Sequence, residues 1–356
     1  MLVNGRHYRT VWMENGLVKL IDQTKLPFSF EIHSCANFRD TAAAIKNMVV
    51  RGAPAIGATA AYALVQACIS FKGANLKSLL LFLGEAEKII TSTRPTAYDL
   101  FFAVDFVKKE IGRAKSAEQA KKIAVAAGNN YADESVKRCM AIGSHGEKLI
   151  KDDFRLLTHC NAGWLACVDW GTATAPVYKA ARNKKYISVF VDETRPRSQG
   201  SRLTAWELKH EGVDHSIIAD NAAGFFMSKG DIDMVIVGAD RIAMNGDVAN
   251  KIGTLEKAIV AKEFGIPFYV AAPFSTIDFN CKSGKDIPIE ERSEDEVKKQ
   301  TGLTDGGELK TIFVSNPESR AINPSFDVTP AKFIKGIITE KGIIKANKNA
   351  IRKLMK

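Results

Sequence analysis

Apolar positions follow two different rhythms along this chain. Ala42, Ile45, Met48 and Val49 recur at helical spacing, as do Leu79, Leu83, Ala86 and Ile90, and then Phe101, Val104 and Ile111. Between the first two sets, Arg51-Gly52-Ala53-Pro54 forces a turn. Pro54 suits the first turn of a new helix carrying Gly57, Ala60, Ala61, Ala63, Leu64 and Ala67, residues small enough for very close packing. Ahead of these helices, the first thirty residues mix apolar and polar positions around turn signals at Asn15-Gly16 and Leu26-Pro27, the pattern of a small sheet or hairpin. Ser116-Ala117-Glu118-Gln119 has the form of a capping box and opens a long helix ended by Gly143-Ser144-His145-Gly146. Beyond it the rhythm changes. Strand-like runs at 154–158, 188–192, 215–219, 234–238, 268–272 and 311–314 alternate with helix-like ones, which predicts a parallel, doubly wound sheet. The expected fold is therefore α/β. An N-terminal, mostly helical domain with a small β element spans residues 1–135, and a C-terminal Rossmann-like domain with a doubly wound parallel sheet spans 136–356, the boundary lying inside the long helix.

Composition narrows the possibilities. A chain of 356 residues, 46% apolar and 25% charged, is that of an ordinary globular protein. No run approaches the uninterrupted apolar length of a membrane span, and Met1 to His7 lacks the apolar core of a signal peptide, so a cytoplasmic protein with no membrane partner is expected. The six cysteines are scattered without a Cys-x-x-Cys pair or a Cys/His cluster at zinc spacing, indicating neither a disulfide framework nor a metal site. No Gly-x-Gly-x-x-Gly follows the first strand of the sheet, so no dinucleotide cofactor is expected. The net charge of +10 is interleaved with acids except in the tail, at Lys345, Lys348, Arg352, Lys353 and Lys356. A nucleic-acid partner would need a basic stripe with stacking aromatics, whereas a modest positive field suits a small anionic substrate. The charged segment 282–301, with Pro288-Ile289-Glu290-Glu291-Arg292, reads as an exposed excursion, and Asn323 to Pro330 as a turn-rich loop with a capped helix after it.

Candidate chemistry collects at strand ends. In Leu156-Leu157-Thr158-His159-Cys160-Asn161-Ala162-Gly163, an aliphatic run breaks into a polar turn and resumes with helix-like character. Cys160 there reads as a thiol at a helix mouth, where the dipole lowers its pKa, or as a small buried hydrophobe. Val235-Ile236-Val237-Gly238-Ala239-Asp240 ends a second strand, and Asp240 is either an acid–base group or the N-cap of a following helix. A third strand ends in Asp192-Glu193-Thr194-Arg195-Pro196 with Gln199-Gly200. In open α/β sheets ligands collect at the carboxyl ends of strands, so these ends share one expected crevice. Arg51, with the free N–H groups of the helix start at Gly52 and Ala53, forms an anion site or caps the preceding helix. His159 packs or orients the loop, since neighbours on an extended chain point to opposite faces.

Taken together, Arg51-Gly52-Ala53-Pro54-Ala55-Ile56-Gly57, Thr158-His159-Cys160-Asn161-Ala162-Gly163, Glu193-Thr194-Arg195-Pro196 with Gln199-Gly200, and Gly238-Ala239-Asp240-Arg241 with Asn250-Lys251-Ile252-Gly253-Thr254 closely resemble the S-methyl-5-thioribose-1-phosphate isomerase family. The resemblance runs nearly end to end. It belongs to a wider group with ribose-1,5-bisphosphate isomerase and the regulatory subunits of translation initiation factor 2B; the Pro-Ala-Ile-Gly continuation favours the methylthioribose enzymes. What the resemblance implies is an aldose–ketose isomerase of methionine salvage, homodimeric, needing no metal or nicotinamide. Cys160 and Asp240 would be catalytic, the carboxyl donating a proton to the ring oxygen. Arg51, Gly52, Ala53 and Arg94 would hold the phosphate or sugar oxygens, and Gln199, Asn250 and Lys251 would complete the sugar pocket. One departure stands out: the family often carries Asn where this chain has Asp99.

Overall fold

The computed structural model describes residues 1–354. Lys356 of the basic tail lies outside the described residues. Near the N-terminus, Val11–Glu14, Leu17–Ile21 and Ile32–Cys35 form a three-stranded antiparallel sheet. Its first turn is Asn15-Gly16, both with positive φ, which matches the twist of a tight hairpin. Helices Phe38–Lys46, Ala53–Ser70, Leu76–Thr91, Tyr98–Ile111 and Ala117–Gly146 follow. Asn75 caps the third through Ser78 N–H, and Ser116 caps the fifth through Gln119 N–H.

Helix Ala53–Ser70 lies at the centre of this region. By length and composition it could cross a membrane, with a mean hydropathy of 1.3 over 18 residues, contrary to the sequence expectation that no stretch would qualify. In the fold, 78% of it is buried inside the protein; a helix apolar on every side is here a core helix enclosed by its neighbours.

The second half builds a seven-stranded sheet in the order Gly342–Ile344, Gly336–Thr339, Phe268–Ala271, Met234–Val237, Phe154–Thr158, Ile187–Asp192, Asp214–Ile218. All neighbours pair in parallel except the first two. Five of the six expected strands lie in it. The sixth, 311–314, belongs instead to an exposed antiparallel hairpin of Lys299–Leu303 with Leu309–Phe313, because its alternating side chains meet no partner layer. The remaining parallel position is taken by Gly336–Thr339, buried throughout. Period-two alternation divides the sheet's side chains between two cores: Leu156, Val189 and Ile236 on one face, Leu157, Val235 and Val270 on the other.

Counting the parallel strands in chain order, the sheet reads 6-5-4-1-2-3. The side on which successive strands are added reverses between the first and the fourth. Those two, Phe154–Thr158 and Met234–Val237, pair directly through Leu156 with Met234 and Leu157 with Val235. A crevice opens at such a switch point, beyond the carboxyl ends of the strands.

Candidate active site

Both strands at the switch point end in a candidate residue, and both residues face one cleft. It encloses about 1090 Å³ of empty space, its open mouth included. Every site residue expected from the sequence lines it: Arg51, Gly52, Ala53, Arg94, Cys160, Gln199, Asp240, Asn250 and Lys251.

Cys160 follows its strand by two residues with φ of +68°, a left-handed conformation unusual for a residue bearing a Cβ. The loop is held in it from both sides. Cys160 N–H donates to Thr194 Oγ1 at 2.8 Å, and Thr204 Oγ1 donates to the Cys160 carbonyl at 2.7 Å. The helix mouth expected at Cys160 is absent: residues 161–163 are irregular, Trp164–Ala166 is a short 3-10 turn, and the next α-helix begins at Ala175. Without a dipole, burial decides the thiol's acidity. It pushes the Cys160 pKa up, although Arg51 and Lys251 pull it down. Cys160 is thus a protonated thiol at rest rather than an activated thiolate.

Asp240 does not cap a helix. Its N–H donates to the Ala249 carbonyl at 2.9 Å, and the chain runs on into strand Arg241–Ala243. Burial raises its pKa, opposed by Lys251, Arg94, Arg292 and Arg51, which places those cations around the carboxyl. Lys251, buried on strand Val248–Lys251, donates to the Ser325 carbonyl at 2.7 Å, and burial lowers its pKa to about 8. Asn250 Nδ2 donates to Thr254 Oγ1 at 3.0 Å. Gln199 precedes a π-helical turn, Gly200–Thr204, and its buried Oε1 has no partner.

Arg51 does not cap the preceding helix either. Its Nη2 donates to the Asn161 carbonyl at 2.9 Å and to Asn161 Oδ1 at 2.6 Å, tying the anion site to the cysteine loop. Asn161 Nδ2 donates in turn to Glu207 Oε1 at 3.0 Å, and Leu165 N–H and the Tyr178 hydroxyl donate to the same carboxylate. Burial nonetheless raises the Glu207 pKa to about 7. Beside Arg51, Gly52 has φ of +95°, and a Cβ there would lie 2.4 Å from the Ala166 Cα, so only glycine lets the helix start approach the loop. Helix Ala53–Ser70 begins there with no side-chain cap, and Gly52, Ala53 and Pro54 line the cleft. Uncapped N–H groups at a helix start favour an anion.

His159 lies behind the cleft, as expected of a residue pointing away from Cys160. It is buried, with Nδ1 2.8 Å from Asp192 Oδ2 and Nε2 2.8 Å from the Ile252 carbonyl. The third strand end therefore contributes support rather than a reacting group: Asp192 holds His159, and Thr194 holds Cys160. His159, Asp192 and Asp220 form the one trio at metal-binding distance among the described residues. Its groups are already engaged, since Asp220 accepts the N–H of Thr194 and of Arg195, both at 2.7 Å, and Lys257 lies 3.7 Å from Asp192.

Sequence reasoning missed two segments of the wall. Residues 323–330 are more than a loop: Phe326–Thr329 is a strand paired with Val248–Lys251, and Phe326 lines the cleft. The supposed excursion 282–301 turns Ile287, Pro288 and Arg292 inward onto the cleft. The apolar pair Ile287-Pro288, set inside a charged run, was the available signal.

The match to known proteins extends along the whole chain. Residues 49–346 match the model of the Initiation factor 2 subunit family. Methylthioribose-1-phosphate isomerase from Desulfatibacillum aliphaticivorans is 48% identical over 99% of this chain and 98% of its own. The crystal structure of 5-methylthioribose 1-phosphate isomerase from Pyrococcus horikoshii OT3 superposes with a TM-score of 0.87 at 42% identity, covering 98% of this chain and 96% of that one. The structure of translation initiation factor eIF-2B, subunit delta, from A. fulgidus gives 0.83 at 40% identity, covering 98% and 100%. A cleft at the sheet's switch point and near-complete overlap with these relatives lead to one assignment: the chain belongs to the Initiation factor 2 subunit family, alongside its methylthioribose-1-phosphate isomerases.

Proposed function

We propose that this chain is an aldose–ketose isomerase that converts 5-methylthioribose 1-phosphate to 5-methylthioribulose 1-phosphate, a step of methionine salvage. The observation that carries the reading is the meeting of Cys160 and Asp240, from adjacent strands, in a cleft rich in cations. A regulatory subunit of the initiation-factor type has no use for that pair. Isomerisation moves hydrogen between neighbouring carbons and needs proton-handling groups on either side, with water kept out. Asp240, whose carboxyl burial shifts toward the protonated form, donates to the ring oxygen as the ring opens. Cys160 serves the C1–C2 bond. The phosphate rests on Arg51, the Gly52-Ala53 backbone and Arg94, and Gln199, Asn250 and Lys251 hold the sugar. No metal or nicotinamide takes part.

Purified protein given 5-methylthioribose 1-phosphate, ribose 1,5-bisphosphate and 5-deoxyribose 1-phosphate side by side turns over the first most efficiently. Turnover of ribose 1,5-bisphosphate alone would move the assignment to that neighbouring activity, and no turnover of any would favour a regulatory subunit. Arg94→Ala weakens substrate binding by about 1.5–3 kcal/mol through loss of a charged hydrogen bond, read as a dissociation constant by calorimetry. Unchanged affinity would remove Arg94 from the site.

In this reading the protein is a cytoplasmic homodimer acting on a small sugar phosphate, with no nucleic-acid or membrane partner. The helical part, 1–135, and the sheet part, 136–356, are its two domains. Light scattering at micromolar concentration yields twice the chain mass; a monomeric mass would exclude the dimer.

A further inference from the structure

Segment 282–301 was expected to be solvated, yet its central charges are turned inward. Arg292 has a side chain only 10% exposed, and Arg94 one only 11% exposed. A single carboxylate oxygen serves both: Glu290 Oε2 lies 3.2 Å from Arg292 Nη2 and 3.5 Å from Arg94 Nη2. The Nε of each arginine is buried without a hydrogen-bond partner. Two guanidinium forks offering ten N–H groups between them share one oxygen. The arrangement is unsaturated.

Charge bookkeeping leads the same way. Arg51, Arg94, Lys251 and Arg292 stand around the cleft against the carboxyls of Asp240 and Glu290, while Arg241 is matched by Asp278 at 3.3 Å. That leaves an excess of two positive charges with Asp240 ionised and of three when it carries the proton it donates. Arg292 is anchored for a fixed role, its N–H donating to the Asn323 carbonyl at 3.0 Å and its guanidinium 5.8 Å from the Phe326 ring.

From this geometry we infer that Arg292 is a further ligand of the substrate's phosphate, and that Glu290 is a resident counter-anion shared with Arg94 that the phosphate displaces. The inference rests on the sugar-phosphate reading above. A phosphate dianion presents three acceptor oxygens where the carboxylate presents one engaged oxygen, so it satisfies both forks bidentately. Glu290 then competes with the substrate for its own site.

The test uses opposite signs. Inorganic phosphate binding is measured by calorimetry, and KM by turnover, for the intact protein and its variants. Glu290→Gln removes the internal competitor without changing shape, and tightens phosphate binding and lowers KM by about threefold or more. Arg292→Ala weakens both by about tenfold or more, and Arg292→Lys, which keeps the charge but loses the fork, falls between. If the pair merely braces the loop, both neutralising variants weaken binding, and that result would overturn the inference. Should Glu290→Gln fold poorly, Glu290→Asp, which draws the carboxylate back, is read for the same direction. Absence of turnover by the unaltered protein on all three sugar phosphates would refute the proposed function, while the calorimetric comparison would still decide the role of Arg292 and Glu290.

Discussion

Asp240→Asn lowers kcat by about 10²–10⁴-fold, the usual worth of general acid–base assistance, while the melting transition stays where it was or rises. The structure sharpens this expectation. Asn caps helices about as well as Asp, so a capping residue would tolerate the change. Asp240 caps nothing, because the chain after it is strand Arg241–Ala243. The sign of the stability effect follows from linkage. Burial raises the carboxyl's pKa, so its contribution to stability is full below the ordinary value and lost as pH rises through the raised one; Asn escapes that loss. The same shift sets the pH profile. Activity falls as pH climbs through the Asp240 pKa, because the donor becomes an anion, and this limb disappears from the residual activity of Asp240→Asn. A separate loss above about pH 8 follows neutralisation of Lys251 and appears mainly in KM. Cys160→Ser lowers kcat by a similar order, about 10²–10⁴-fold, and the double variant loses less than the product of the two, since both groups serve one reaction coordinate. Single-variant kcat values within a few-fold of the parent would remove the pair from catalysis.

Asp99→Asn stabilises the protein at neutral pH. Asp99 lies in the first turn of helix Tyr98–Ile111, 2% exposed, with neither carboxylate oxygen in a well-formed hydrogen bond. Burial raises its pKa to about 6; Arg138 and Ser275 pull the other way and lose. The sign is that of a raised carboxyl. Its stability contribution is complete below its ordinary pKa, near 4, and is lost as pH rises to about 6. A shift of roughly two units corresponds to about 3 kcal/mol at most, and relaxation around the site brings the expected gain to about 1–3 kcal/mol. Denaturation midpoints of the two proteins should therefore diverge between about pH 4 and 6 and run parallel above it. A constant difference across that range would mean that the Asp99 charge is not what the fold resists. This position is also the one departure from the resemblance noted in the sequence.

How much of this was legible beforehand depends on the range of the interactions involved. Local patterns carried the helices: Ser116 caps as its spacing indicated, because a cap is made within four residues. They also carried five of the six expected strands. Thr311–Val314 went astray because alternation marks a strand without saying which sheet receives it, and here only a hairpin partner does. Eight of the nine site residues stood in motifs and Arg94 was named through the resemblance alone, which also supplied the roles; all nine line one cleft.

The chain's sequence by itself determined which residue types stand at each strand end and helix start, since those follow from short-range periodicity and turn chemistry. Tertiary structure alone decided what each can do. It put strands separated by some eighty residues side by side, so that Cys160 and Asp240 meet. It replaced an expected helix dipole at Cys160 by burial, reversing the direction of the thiol's pKa shift. It turned Glu290 and Arg292 inward from a segment whose charge reads as solvated. Burial and charge neighbours depend on residues distant in the chain, and no local pattern encodes them.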